Sequence, residues 1–232
     1  NHTLSAFEKI EYTNNSPDAL EYLWLQLDQN IRKKDAPALQ KNSEGDTAHN
    51  IIYNLIDESQ VDRFAARHIE NKFDGGFNIQ WVKDEFNQSL NHTINMTMMR
   101  VDLPQPLKKG EEFKFSIKWW YNINDHIKKR ARSGYEPFPK DGNRLYVIAQ
   151  FFPRLAVYND VEGWQNHQFW GNGEFALNFG NYEVNITVPA DFVVAATGSL
   201  QNPEEVLTKK ELERYEKAKQ TFDKPVIITT QE

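Results

Sequence analysis

Hydrophobic and polar residues alternate along much of this chain with a period of two, the signature of strands with one buried face. The clearest run spans residues 113–121. Phe113, Phe115, Ile117, Trp119 and Tyr121 share one face, and Lys114, Ser116, Lys118 and Trp120 share the other. Residues 4–13 alternate too, with Leu4, Ala6, Ile10 and Tyr12 on one side. Residues 22–27 turn Leu23, Leu25 and Leu27 inward. Between these two runs, Asn14-Asn15-Ser16-Pro17-Asp18 is rich in turn formers, so the pair predicts a hairpin. Residues 77–86 predict a strand after the Asp74-Gly75-Gly76 turn, and residues 93–103 a less cleanly alternating one. Residues 104–110 read as a turn, because neither Pro104 nor Pro106 has an amide to donate.

The densest group of strand-like runs lies between residues 143 and 198. Residues 145–152 are apolar on both faces, which predicts a central strand covered on both sides and ended by Pro153. Residues 175–179, 182–188 and 193–197 predict three more, with a turn at Gly180-Asn181. One helix is expected near the C-terminus. Thr208 and Glu211 form a capping box, and Leu212, Tyr215 and Phe222 mark one face of a helix running to about Phe222. Residues 226–229 read as a last strand. Residues 31–50 and 135–142 read as loops, residues 51–67 are ambiguous, with a helical turn at 60–67 left open, and the basic cluster Lys128, Lys129, Arg130 and Arg132 reads as a solvated loop. The expected fold class is all-β: a large, twisted antiparallel sandwich or saddle with one short helix near the C-terminus.

Composition narrows the chemistry. The chain has 232 residues, enough for a sizeable core. Its net charge of -6 offers no basic face for nucleic acid. No apolar run reaches the ~18–20 residues of a membrane span. There are no cysteines, so disulfides, thiolate nucleophiles and cysteine zinc sites are excluded. The six histidines are scattered, with no pair at ligand spacing and no His-Glu-x-x-His. No Gly-x-Ser-x-Gly elbow occurs. Gly171-Asn172-Gly173-Glu174 reads as a turn entering a strand. Of the tryptophans, Trp119 falls on a core-facing side, whereas Trp120 lies on a polar face and is a candidate for stacking on a sugar.

Several short motifs also occur in a telling order. They include Leu103-Pro104-x-Pro106-Leu107 with Gly110-Glu111, then Ala149-Gln150-Phe151-Phe152 with Ala156, Tyr158 and Asp160. Tyr182-x-Val184-x-Ile186-Thr187-Val188-Pro189 follows, and then Ala196-Thr197-Gly198-Ser199-Leu200. Together they resemble the N-terminal domain of the M1 family of zinc metallopeptidases, in its bacterial aminopeptidase branch, over nearly the whole chain. The resemblance implies that residues 1–232 form a single N-terminal β-domain, its first and last strands cut short. It implies a catalytic domain elsewhere in the same polypeptide, which would carry the zinc and be this domain's partner. This chain would hold no cofactor and do no chemistry itself. It would cover the active-site cleft and contact a peptide substrate through Gln150 and Phe152. The family carries an acid where this chain has Phe152. An acid there would help hold a peptide's α-amine, and Phe152 offers only apolar contact. The branch is commonly exported, which leans the location towards the periplasm or beyond. A different class of function is a stand-alone carbohydrate- or protein-binding β-sandwich module.

Overall fold

The computed structural model describes residues 2–36, 73–126, 133–170 and 176–230. The expectations for residues 37–72, the Lys128–Arg132 cluster, the Gly171–Glu174 turn and Phe175 lie outside these. The chain divides into two compact units, Asn1–Gly180 and Asn181–Glu232. Strands dominate, and all sheets are antiparallel.

The first unit is a sandwich. Its three-stranded sheet comprises β1 (Thr3–Thr13), β3 (Asn78–Asp84) and β6 (Glu112–Asn122), in the order β1-β6-β3. Its four-stranded sheet comprises β2 (Leu20–Gln26), β4 (His92–Asn95), β5 (Met98–Leu107) and β9 (Arg154–Leu155), in the order β4-β5-β2-β9. The alternation of β6 sets the first inner face: Phe115, Ile117, Trp119 and Tyr121 are buried, and the intervening residues are not. From the other sheet come Leu23 and Leu25 of β2 with Met99 and Val101 of β5. These residues form one apolar cluster with Phe77 and Val82. Two sheets sharing one core is the expected sandwich. Each fully buried side chain of this size contributes ~2 kcal/mol of transfer free energy.

Two ribbons complete the unit. β7 (Gly134–Phe138) pairs with β8 (Asn143–Val147), and β10 (Tyr158–Asn159) with β11 (Gly163–Trp164). A 3-10 turn at Asp28–Arg32 follows β2.

The structure corrects several sequence expectations. β1 and β2 are not a hairpin, since β1 pairs with β6 and β2 with β5 and β9. Asn14 makes the crossing between sheets. Its buried amide donates to the carbonyls of Asp18 and Leu107 and accepts from the Ser16 amide. Residues 93–103 are two strands, β4 and β5, paired as a hairpin whose turn contains Met96, which has φ of 50°. β5 then continues through Pro104 and Pro106. The ladder with β2 is irregular there, so the missing amides cost nothing. The expected loop at 135–142 begins with β7. Residues 145–152 are not a central strand: β8 ends at Val147, and Leu145 and Val147 are exposed while Tyr146 and Ile148 pack towards the core.

The second unit is built around helices α1 (Pro203–Val206) and α2 (Lys209–Lys219). Thr208 and Glu211 form the capping box reciprocally. The Arg214 guanidinium donates to the carbonyl of Ile228 and the hydroxyl of Thr230, so the last residues lie beside α2 rather than in a strand. Residues 182–188 and 193–197 belong to no sheet among the described residues, and every one of them is exposed. No helix among the described residues is long and apolar enough to cross a membrane.

Candidate functional site

The segment between β8 and β9 carries both candidate residues. Gln150 is not in a strand. Its φ is 52°, in the left-handed region that a residue with a Cβ rarely visits. Such a conformation persists where surrounding contacts over-determine it, and it clusters at functional sites.

Those contacts come from the sandwich. Gln29 sits in the 3-10 turn after β2 and is only 1% exposed. Its side-chain amide donates to two successive carbonyls, Ala149 at 3.1 Å and Gln150 at 3.0 Å. The next carbonyl, that of Phe151, accepts from the indole of Trp119 at 3.2 Å. Three consecutive carbonyls are therefore held by side chains anchored in the core. The Gln29 oxygen in turn accepts from Arg32 at 2.7 Å, which fixes the orientation of the amide. In the sequence Gln29 stands out only as part of Asp28-Gln29-Asn30, a triplet close to the end of the second strand that also resembles the M1 pattern, and not as a site residue. A glutamine directly after a buried strand, flanked by Asp28 and Asn30, was the available signal.

Gln150 itself is half-buried, and among the described residues its side-chain amide makes no hydrogen bond. Its carbonyl is held by Gln29, whereas its side chain is not engaged by any described residue. Phe152 differs. Its ring meets Phe151 edge to face at 5.0 Å and packs against the core cluster, so it is partly structural.

A second polar group lies beside this segment. Arg154 on β9 pairs with Asp28 and donates to the side chain of Gln26. Asp28 is buried, and its second carboxylate oxygen has no partner among the described residues. Burial pushes the Asp28 pKa up, and Arg154 pulls against it. Desolvation wins here even at an ion pair. Elsewhere, Asn30 donates to the Met96 carbonyl and accepts from the Phe77 amide, tying the 3-10 turn to the β4–β5 turn. A groove of about 300 Å³ opens at that junction, lined by Ile31, Met96, Phe169 and Trp170 among others.

The other candidates fall apart. Trp119 is core, as its face implied. Trp164 packs on Tyr158. Trp120 lies on the outer face of the three-stranded sheet, in register with Ser5 and Asn78. The adjacent row places Phe7, Lys118 and Trp81 across the same face, and Phe7 is 62% exposed. His2 stacks on Tyr135 at 3.8 Å and bonds to Tyr146. No group of three His, Asp or Glu residues able to hold a metal ion occurs among the described residues. His-Glu-x-x-His is absent from the sequence.

No family model, curated protein or solved structure matches the chain.

Proposed function

We propose that this chain is the non-catalytic N-terminal domain of an M1-like zinc metallopeptidase. It covers one side of the active-site cleft and contributes Gln150 and Phe152 to the pocket for the substrate's first residue. One observation carries the reading. At the position where the resemblance puts a substrate-facing glutamine, Gln150 has a left-handed backbone, pinned carbonyls and an unengaged side-chain amide. A residue held this way has its recognition geometry set before a ligand arrives. The Gln150 side-chain oxygen accepts from the α-ammonium of a peptide. The exposed part of the Phe152 ring contacts the first side chain. Zinc, held by the catalytic domain, supplies the activated water. This chain's part is to bind and orient.

The test begins with the reading frame of the parent protein, which must encode a His-Glu-x-x-His helix. The full-length protein is then expected to hydrolyse an unblocked aminoacyl-4-nitroanilide and to spare its N-acetylated form. Gln150→Ala should raise KM roughly tenfold, the scale of one lost hydrogen bond to a charged group. A parent without that helix, or equal turnover of both substrates, sinks the reading.

A second reading, a stand-alone carbohydrate- or protein-binding module, rests on the outer face that carries Phe7, Trp81 and Trp120. Rings on an exposed sheet face suit stacking on a sugar. Glycan-array binding lost in Trp120→Ala would favour it over the first.

A further inference from the structure

We propose that Gln29 is the positioning residue for Gln150: it holds the peptide unit after Gln150 so that the side-chain amide of Gln150 points away from the sheet, unspent. The role of Gln150 towards substrate rests on the function proposed above. The clamp itself rests on geometry alone.

Gln29 donates both amide protons, one to each of two consecutive carbonyls, Ala149 and Gln150. An extended chain turns successive carbonyls to opposite sides, so offering both to one amide group takes a departure from the extended conformation, and Gln150 supplies it. The Gln29 oxygen is occupied by Arg32. The amide therefore cannot flip without setting oxygen against oxygen and nitrogen against guanidinium. Gln29 is buried, away from bulk solvent. The Trp119 indole secures the next carbonyl, which stops the bend from relaxing on the far side. Shorter Asn would not span the gap, and Glu would keep the contact with Arg32 while losing both donated protons.

The experiment uses the 232-residue chain, isotopically labelled, with NMR coupling constants and Cα shifts reporting the backbone at Gln150. In Gln29→Glu, Gln150 is expected to leave the left-handed region, while amide exchange shows distant β6 amides still protected. Gln29→Ala should do the same. If Gln29→Ala does not fold, Gln29→Glu carries the test, because it preserves volume and the Arg32 partner. Gln150 keeping a positive φ in the Gln29 variants would overturn the clamp.

In the full-length protein, Gln29→Glu should raise KM for an unblocked tripeptide severalfold and leave kcat close to that of the parent, a split that general destabilisation does not produce. A moved Gln150 with unchanged KM would keep the clamp and remove the substrate role of Gln150, so the two ideas fail separately.

Discussion

β6 and residues 182–188 have nearly the same sequence grammar and opposite fates. Both alternate apolar and polar residues. β6 is hydrogen-bonded on both edges, to β1 and β3, and buries Phe115, Ile117, Trp119 and Tyr121. Tyr182, Val184, Ile186 and Val188 alternate as cleanly, yet each is exposed and the segment belongs to no sheet among the described residues. Alternation shows that a segment is able to be a strand. It does not say which edge receives it. Side-chain period is local, whereas strand stability comes from cross-strand pairs and a facing layer.

Mutation at matched positions tests this most severely. Trp119→Ala should destabilise the first unit by about 4 kcal/mol, through lost area, a cavity and the lost bond to Phe151. Ile186→Ala should fall within ~0.5 kcal/mol, as exposed substitutions do. Urea denaturation monitored by tryptophan fluorescence compares the two. Equal losses would mean that residues 182–188 are packed after all and would dissolve the contrast.

Next in size is the buried pair at the start of β9. Arg154→Met keeps most of the volume and leaves the Asp28 carboxylate without its cation. The expected loss is ~3 kcal/mol at neutral pH. The Asp28 pKa is already raised by burial, so its native form holds a proton more readily than the unfolded chain does. Stability tied to such a group falls as pH rises. The deficit of Arg154→Met should therefore shrink on acidification, and denaturation series at acidic and neutral pH would show it. A pH-independent deficit would point to packing alone.

These residues also mark what the sequence made legible. The faces of β6 and β2 were readable because a buried face needs only period and apolarity. The capping box at Thr208 was readable because both its partners lie within four residues. Gln150 was singled out by resemblance, but it was placed in a strand that does not form. The left-handed turn depends on Gln29 and Trp119, which lie far away in sequence, and nothing local at Gln150 encodes them. The hairpin expected of β1 and β2 failed for a related reason: Asn14 is a good turn former whether the next strand pairs back or crosses to the other sheet.

Glu8 breaks the pattern of its own strand and sharpens the contrast. It lies on the inner face of β1 opposite Ile117, between Ala6 and Ile10, while Phe7 takes the outer face. One carboxyl oxygen is buried without a partner, and desolvation pushes the pKa from 4.5 up to about 9. Between those two values the native state holds a proton that the unfolded chain releases. Glu8 therefore lowers stability progressively as pH climbs from about 4.5 to about 9. The side chain keeps some contact with water, so Glu8→Gln should gain only about 2 kcal/mol at pH 7 and flatten the pH profile. No gain at pH 7 would mean that the carboxyl is solvated.

The smallest effect concerns the second unit, where order is local. Thr208→Ala removes the hydroxyl that accepts from the Glu211 amide, and it leaves the Glu211 carboxylate its bond to the backbone amide at position 208. Half of the box is lost, for ~1 kcal/mol. Because α2 is bounded by its own cap and by Arg214 reaching Ile228 and Thr230, the loss should appear as faster exchange at residues 209–212 and leave β6 amides untouched. Equal acceleration in β6 would show one cooperative body rather than two units. A silent β6 would show that residues 181–232 draw their stability from neighbours in sequence, while the sandwich draws its own from neighbours in space.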